Sequence, residues 1–527
     1  MARNNPAVLS PRGMAATSQP LATGAALKVL QDGGNAIDAA VTAAAVLNVV
    51  EPHMTGIGGD MFALLWSAEE GRLVGLDASG RAGSMATADT LLALGLNDVP
   101  YRGALAITVP GALSGWAALL DRFGTLTLAE ALAPAIRIAE EGFPVTPIIA
   151  SQWRAAAAGL KKDAGASSTF LFDGERGPEA GEWCRNPDLA ETFRTVAWHG
   201  PDALYGGPLG SQIVEGVRAL GGFLTLEDLS DHRPEWVDPI SVDFRGYQVW
   251  ELPPSGQGLA ALQMLKILEP FDLVDMGHNS AAYLHHLVEA KKLAFADIAR
   301  NVADRDHFEG DPSGLLADDY IQGRRALLDP DRAAERQNPG DPFNHGETIY
   351  LSVADQEGNM VSFINSLFEY FGSGVVAPGT GFALQNRGAG FTLEEGHLNR
   401  IEPRKRPFHT LIPGFVTREG EPWMAFGVMG GSMQPQGHVQ LLLNLLLFGM
   451  DIQEAIHAPR FRHYGGQRLA LESPIPDDIR RALGSLGHQI IDESGVAFGG
   501  AQAVLHLESG WMAGSDPRKD GMAAGYE

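Results

Sequence analysis

Thr348 is the residue whose type and position could do covalent chemistry. It follows the short segment 344–347 and opens a run of residues that alternates like a β-strand. If the peptide bond before it breaks, its own amine can act as general base for its own hydroxyl, which then attacks a carbonyl. Threonine also begins strands simply because it is β-branched. The residues alone leave both interpretations open.

A second group, His285, His286 and Glu289, has the residue types of a metal site and lies on a segment with helical spacing. Adjacent histidines point to different faces of a helix, and the HExxH pattern is absent. The spacing therefore favours a structural role, with zinc-dependent hydrolysis as the alternative.

The glycine run at 56–59 resembles a phosphate-binding loop only superficially. Met61 stands where the dinucleotide pattern needs its third glycine, and the run precedes a strand instead of following one. We therefore expect the glycines to allow close backbone packing and not to bind a nucleotide.

The composition limits the classes of partner and the type of protein that the sequence can represent. The 527 residues carry 39 Lys and Arg against 64 Asp and Glu, a formal net charge of −25, which argues against nucleic acid or anionic lipid as a partner. With a single cysteine, Cys184, no intrachain disulfide can form. Neither a signal peptide nor an apolar run of the ~20 residues that a membrane span needs is evident. These features predict a soluble, cytoplasmic protein.

The elements that would position Thr348 are strands between helices. Residues 36–50 read as a buried helix capped by Asn35. Segments 114–123, 128–141 and 281–300 also have helical spacing. The pattern from Thr348 predicts a hairpin that turns at 356–359 and returns over 360–368. Residues 438–448 read as an apolar helix that follows Gly430 and Gly431. The sequence therefore predicts a layered α/β architecture.

Several motifs, in order along nearly the whole chain, resemble those of the γ-glutamyltransferase (γ-glutamyl transpeptidase, glutathione hydrolase) family of N-terminal-nucleophile hydrolases. The resemblance implies an α/β (α+β) fold, a four-layer αββα sandwich formed by residues 1–527 as one domain. It also implies self-cleavage between Glu347 and Thr348 into a large chain, 1–347, and a small chain, 348–527. The motifs are Gly33-Gly-Asn-Ala-Ile-Asp-Ala-Ala40, Val109-Pro-Gly111, Phe244-Arg-Gly-Tyr-Gln248, Pro253-Pro-Ser-Gly256, Lys405-Arg-Pro407 and Ser515-Asp-Pro-Arg518.

The same resemblance implies the catalytic roles. Thr348 would be the nucleophile and, through its freed amine, the base. Ser366 falls where the family usually has a second threonine that orients the nucleophile. Gly430 and Gly431 match the paired glycines whose backbone N–H groups form the oxyanion hole. No metal and no cofactor is expected.

The substrate pocket departs from the family pattern. Where glutathione-using members have an arginine, this chain has Arg81 two positions later, and Phe368 replaces an asparagine. Arg387 replaces a neutral amide, and an adjacent pair of acids is lost, which leaves no carboxylate for a substrate ammonium. His409 and Thr410 replace a pair of serines. For Arg81 and Arg387 a structural ion pair, and for Phe368 core packing, remain alternatives to substrate binding.

These departures predict a pocket for an anionic amide without an ammonium group, similar to that of the oxamate amidohydrolases, with cephalosporin-acylase-like activity more distant. We expect hydrolysis more than transfer, and a small-molecule amide as substrate. The two chains would remain together as a heterodimer, and a pair of such heterodimers is conceivable. The alternatives are an ordinary glutathione hydrolase and γ-glutamyltransferase, or an uncleaved, non-catalytic binding protein.

Overall fold

A computed structural model describes residues 6–307, 311–335 and 347–527 of the chain. The strands are β1 (Val8–Ser10), β2 (Gly13–Thr17), β3 (Asp60–Ser67), β4 (Arg72–Ala78), β5 (Phe143–Pro144), β6 (Trp183–Cys184), β7 (Glu235–Val237), β8 (Ile240–Phe244), β9 (Tyr247–Glu251), β10 (Glu347–Ala354), β11 (Met360–Phe368), β12 (Gly414–Arg418), β13 (Glu421–Met429), β14 (Phe461–Gly465), β15 (Arg468–Leu471), β16 (Gln489–Ile491), β17 (Gly500–His506), β18 (Trp511–Ser515) and β19 (Met522–Tyr526).

The helices are α1 (Pro20–Gln31), α2 (Ala36–Val50), α3 (Ala88–Ala93), α4 (Ala112–Phe123), α5 (Leu128–Glu141), α6 (Pro147–Leu160), α7 (Ala164–Phe170), α8 (Pro187–His199), α9 (Pro208–Ala219), α10 (Leu226–Ser230), α11 (Gly258–Leu268), α12 (Leu273–Met276), α13 (Ala281–Asn301), α14 (Asp318–Arg325), α15 (Met433–Leu446), α16 (Ile452–His457) and α17 (Asp477–Ser485). Within the described residues, no helix combines the length and the apolar character needed to cross a bilayer.

Two antiparallel sheets of seven strands are stacked face to face. The first has the strand order β1-β18-β17-β13-β12-β9-β8, and the second has the order β19-β2-β10-β11-β3-β4-β7. Strands β10 and β11 pack against β13 across the interface, and β2 packs against β17 and β18. Helices α1, α2 and α4 cover the second sheet, whereas α11, α15 and α16 cover the first. The predicted four-layer αββα architecture is confirmed.

Helix α2 shows why the sequence folds in this way. Asn35 caps it and forms a reciprocal capping box with Asp38, as the sequence predicts. Every residue of the helix is buried because it lies between the second sheet and neighbouring helices. Its alanine-rich sequence permits that close approach on all sides.

The hairpin that begins at Thr348 is confirmed, since β10 and β11 pair antiparallel over almost the predicted ranges. The prediction for the later apolar helix was wrong at its start. Helix α15 begins at Met433, five residues before the predicted His438, because Pro435 is compatible with a first helical turn. This difference brings Gln434 into the turn that directly follows Gly430 and Gly431.

Candidate active site

Thr348 is the second residue of β10, and its side chain is buried. The pairing of β10 with β11 shifts by one residue here, so that Ser366 and Leu367 both oppose the single Thr348. Such a bulge re-aims a side chain out of the regular ladder. The Thr348 hydroxyl donates to Ser366 Oγ at 3.3 Å and accepts from Gln434 Nε2 at 3.4 Å.

Ser366 connects Thr348 to the end of β11 and to the neighbouring strand β3. Its Oγ accepts a hydrogen bond from the backbone N–H of Phe368 at 2.8 Å. Across the sheet, Ser366 pairs with Asp60 at the start of β3. A Cβ atom on Gly59 would lie 2.2 Å from the Ser366 carbonyl oxygen. This contact confirms that the glycine run at 56–59 serves close backbone packing.

Asp60 is a fully buried carboxylate that accepts hydrogen bonds through both oxygens. Oδ1 accepts from Gly80 N at 2.8 Å and from Gln385 Nε2 at 2.9 Å, and Oδ2 lies 3.0 Å from His409 Nε2. His409 Nδ1 accepts from the backbone N–H of Leu411, so the ring proton is on Nε2 and points to Asp60. Burial raises the pKa of Asp60 to about 7 and lowers the pKa of His409 well below its usual value.

Arg387 lies next to this carboxylate and is itself fully buried. Nη1 donates to Thr410 Oγ1 at 2.8 Å, the guanidinium stacks 4.3 Å from the ring centre of Phe368, and Nε is 4.0 Å from Asp60 Oδ2. Nε and Nη2 have no hydrogen-bond acceptor among the described residues. Burial lowers the pKa of Arg387 to about 10, so the group remains a cation at neutral pH. A buried guanidinium with two open donors is suited to bind a planar anion.

The backbone is strained at Phe368, the last residue of β11, because this residue has a φ of +80°, a conformation uncommon outside glycine. This backbone conformation turns the chain at the end of β11, so that the Phe368 ring lies beneath Arg387 and beside Tyr101. Phe368, Arg387, His409 and Thr410, which the sequence identifies as candidate substrate-binding residues, are therefore brought together. The hydrogen bond from Phe368 N to Ser366 Oγ links this group to Thr348.

Gly430 and Gly431 form the turn between β13 and α15, with φ values of +126° and +58° that favour glycine. The Gly431 carbonyl accepts from Gln257 Nε2 at 2.8 Å, and the same nitrogen donates to the carbonyl of Thr410 at 2.7 Å. Gln434, in the next turn, reaches Thr348. The glycine turn is thus tied to both Thr410 and the nucleophile candidate, and its role as an oxyanion hole stays a prediction.

Arg81 occupies a different environment from Arg387. Its guanidinium forms ion pairs with three carboxylates, at 3.2 Å from Glu235, 3.1 Å from Asp304 and 2.7 Å from Asp306. It also donates to the carbonyl of Arg404. These contacts favour the ion-pair interpretation of Arg81, and a role in substrate binding stays a prediction.

The His285 and Glu289 side chains meet a third potential metal ligand, His488, with ligand atoms within 4.8 Å of one another. His286 points away and bonds to the carbonyl of Ala282. His285 donates through Nε2 to the Asp329 carbonyl and lies 2.8 Å from His488, while Lys292 forms a buried ion pair with Glu289 at 2.7 Å. Because Lys292 already balances the charge of Glu289, these contacts favour the structural role.

Asp60, a carboxylate beside Arg387, is a pocket residue that the sequence analysis did not identify, and the absence of a carboxylate for a substrate ammonium stays a prediction. Sequence reasoning also missed Gln385, Gln257 and Gln434. A signal for Asp60 existed, because a charged residue directly before the apolar run 61–66 is unusual in a fully buried strand. The glutamines gave no such signal, because their partners are distant in sequence.

Comparisons of the sequence and of the fold with known proteins all point to one family. A family model described as Gamma-glutamyltranspeptidase matches residues 22–526. The chain is 38% identical to a glutathione hydrolase-like YwrD proenzyme of Bacillus subtilis, with 99% of this chain and all of the relative covered. It is 39% identical to an oxamate amidohydrolase proenzyme of Klebsiella pneumoniae, with 98% and 99% covered. The crystal structure of a cephalosporin acylase from Bacillus halodurans superimposes with a TM-score of 0.94 at 44% identity, covering 99% of this chain and 97% of the other.

Proposed function

The chain belongs to the gamma-glutamyltranspeptidase family, whose members are N-terminal-nucleophile hydrolases and transferases, and we propose that it is a self-processing amidohydrolase with Thr348 as its nucleophile. Its substrate is a small amide that carries a carboxylate, of the oxamate type. The observation that carries this proposal is the buried Arg387 guanidinium, which has two open donors and is linked through Phe368 and Ser366 to the Thr348 hydroxyl.

Maturation is the first reaction. The Thr348 hydroxyl oxygen attacks the carbonyl carbon of Glu347. The bond between that carbon and the Thr348 nitrogen breaks, the nitrogen takes up the hydroxyl proton, and an ester replaces the peptide bond. Water then hydrolyses the ester, which gives a new carboxylate on residue 347 and a free amine on Thr348. The products are a large chain, 1–347, and a small chain, 348–527, that remain together as a heterodimer. The proenzyme names of the relatives support this step.

Hydrolysis of the substrate uses the same hydroxyl and the new amine. The amine accepts the hydroxyl proton while Oγ1 attacks the amide carbon, and the resulting oxyanion is stabilised by the N–H groups of Gly430 and Gly431. The amine then passes its proton to the leaving nitrogen, and ammonia departs. Water, activated by the amine, hydrolyses the ester of Thr348 and releases the acid. With oxamate, the products are oxalate and ammonium.

Arg387 provides the recognition of the carboxylate. Its open Nε and Nη2 donors match the two oxygens of a planar anion, while Nη1 is held by Thr410 and the guanidinium plane is fixed on Phe368. Substrate binding would therefore complete the hydrogen bonds of a cation that the fold leaves incomplete. The similarity to an oxamate amidohydrolase proenzyme supports this choice of substrate class.

A glutathione hydrolase is the second candidate, because Asp60 beside Arg387 offers the charge that a substrate ammonium needs. However, both oxygens of Asp60 already accept from Gly80, Gln385 and His409. A carboxylate occupied in this way is a poor partner for a further cation, so we rank this function second.

A comparison of three substrates tests the proposal. Pyruvamide has the shape of oxamate without its charge, and glutathione represents the second candidate. We expect ammonia release from oxamate with a kcat/KM about 10- to 100-fold above that for pyruvamide, the typical value of a charge-assisted hydrogen-bonded contact. Arg387→Met should abolish the preference for oxamate. Equal rates for both amides, or a clear preference for glutathione with release of glutamate, would contradict the proposal.

Arg462 offers a matched control for Arg387. It is also buried and stacks on an aromatic ring, at 4.6 Å from the centre of Tyr464, but it donates to the carbonyl of Ala497 in another part of the fold. Arg462→Met should keep the preference for oxamate. Loss of that preference in both variants would assign the effect to general destabilisation.

A further inference from the structure

We propose that Gln434 is a positioning residue for the Thr348 hydroxyl, holding Oγ1 through a hydrogen bond from Nε2. This inference rests on the proposed function, since it deepens the role of Thr348 as the nucleophile. The two side chains lie 86 positions apart in the sequence and meet where the first turn of α15 faces the start of β10, with Nε2 at 3.4 Å from Oγ1.

The orientation of the Gln434 amide is fixed by its other end. Oε1 accepts a hydrogen bond from the backbone N–H of Ile412 at 3.1 Å. Because the oxygen is held there, the NH₂ group must face Thr348. The side chain is fully buried, and its backbone N–H bonds to the Gly431 carbonyl, so the donor is attached to the same turn as the glycine pair.

An amide NH₂ group donates hydrogen bonds and cannot accept a proton, so Gln434 cannot be the base. It can restrict the direction of the Oγ1 lone pairs and stabilise the oxygen as it loses its proton to the Thr348 amine. In the uncleaved chain the hydroxyl proton points to Ser366 Oγ. Once cleavage frees the Thr348 amine, that proton passes to the amine, while Gln434 holds Oγ1 from the donor side. Hydrogen bonds in uncomplexed active sites are often long and shorten in the reacting complex, which is consistent with the 3.4 Å separation.

Gln436 provides the matched control. It is also fully buried, lies two residues later in α15, and uses its amide to bind backbone groups, accepting from His463 N at 2.8 Å and donating to the Ser432 carbonyl at 3.0 Å. Its contacts are structural and do not include Thr348. Loss of a buried glutamine amide from this helix is therefore common to variants at both positions, whereas loss of the Thr348 contact is specific to Gln434.

The first experiment compares Gln434→Ala with Gln436→Ala in the mature, full-length protein, with oxamate as the probe. We expect Gln434→Ala to lower kcat by about tenfold or more, the effect of one lost hydrogen bond to a reacting group, while KM changes less than about twofold. Gln436→Ala should keep kcat within about twofold of the wild type. A Gln434→Ala variant with wild-type kcat, or an equal loss in both variants, would overturn the proposal.

The second experiment uses Gln434→Glu, which keeps the side-chain volume and the acceptor for Ile412 but places a carboxylate beside Thr348. A negative charge at this distance stabilises the protonated amine, so the acidic limb of the kcat/KM profile should move to higher pH. An unchanged limb would overturn the proposal, and this variant decides the matter if Gln434→Ala does not fold. A wild type that stays uncleaved would instead overturn the proposed function itself, before either variant is compared.

Discussion

Two buried clusters of arginine and carboxylate groups lie in different parts of this fold and differ in how their polar atoms are paired. In the carboxy-terminal cluster, Asp516 pairs with Arg460 at 2.8 Å and with Arg518 at 3.1 Å, and Arg518 also pairs with Glu472. All three guanidinium nitrogens of Arg518 have acceptors. Burial alone would raise the pKa of Asp516, but the two arginines lower it to about 2.

In the cluster near Thr348, the guanidinium beside the buried carboxylate is that of Arg387, and its pairing is incomplete. Asp60 lies 4.0 Å from Arg387 Nε and bonds mainly to neutral donors, so burial raises its pKa to about 7. Nε and Nη2 of Arg387 have no acceptor among the described residues. A buried charge by itself therefore does not indicate a site. The useful feature is a buried charge whose donors the protein does not satisfy, since such donors are costly unless a ligand pairs with them.

The largest expected effect on stability is in the carboxy-terminal cluster. Asp516→Ala leaves Arg460 and Arg518 without their shared carboxylate, and breaking a buried ion pair in this way typically costs about 3–5 kcal/mol. The substitution is made in a Thr348→Ala background, which keeps the protein as a single chain. The urea midpoint of the Asp516→Ala, Thr348→Ala protein should be lower than that of Thr348→Ala alone. An unchanged midpoint would contradict the view that this cluster stabilises the fold.

A smaller effect on stability is expected from Arg387→Met in the same background. The substitution removes a buried cation with two unpaired donors, and Asp60 keeps its bonds to Gly80, Gln385 and His409. We expect a change within about 1 kcal/mol, because replacing an incompletely paired buried charge by an apolar side chain of similar length is often neutral. A loss as large as that of Asp516→Ala would show that Arg387 serves stability and would remove the distinction between the clusters.

The third expected effect is on ligand affinity and concerns the pH dependence of anion binding. Below pH 7, Asp60 is mainly protonated and neutral, so it does not compete with an anionic ligand for the Arg387 guanidinium. As the pH rises through about 7, Asp60 ionises and competes with it. Inhibition by oxalate should therefore weaken with rising pH, by at most about tenfold per pH unit for one coupled proton. Asp60→Asn should flatten this dependence between pH 6 and 8. An identical slope in the variant would assign the titration to another group.

The sequence predicts the elements around Thr348 well because they depend on local signals. The alternating residues from Thr348 and the turn residues at 356–359 predict the hairpin, and Asn35 with Asp38 predicts the start of α2. The start of α15 was missed because its first turn, with Gln434 and Pro435, lacks the apolar spacing of the rest of the helix.

The pocket was harder to predict because its contacts join distant segments. Asp60 meets Gln385 and His409, both more than 300 positions away, and no local pattern encodes such a meeting. Arg81 and Arg387 are equivalent as residue types, and only the fold distinguishes the arginine with three carboxylates from the one with open donors. The resemblance to a family supplied the candidate residues, but their partners required the three-dimensional structure.

The most direct test of the central claim is the intact mass of the purified protein, wild type beside Thr348→Ala. We expect two wild-type fragments that meet between Glu347 and Thr348, and one uncleaved chain for the variant. Thr348→Ser, which keeps a hydroxyl, should still be cleaved. A wild type that remains a single chain of 56.1 kDa, or cleavage that persists in Thr348→Ala, would contradict the assignment of Thr348 as the nucleophile.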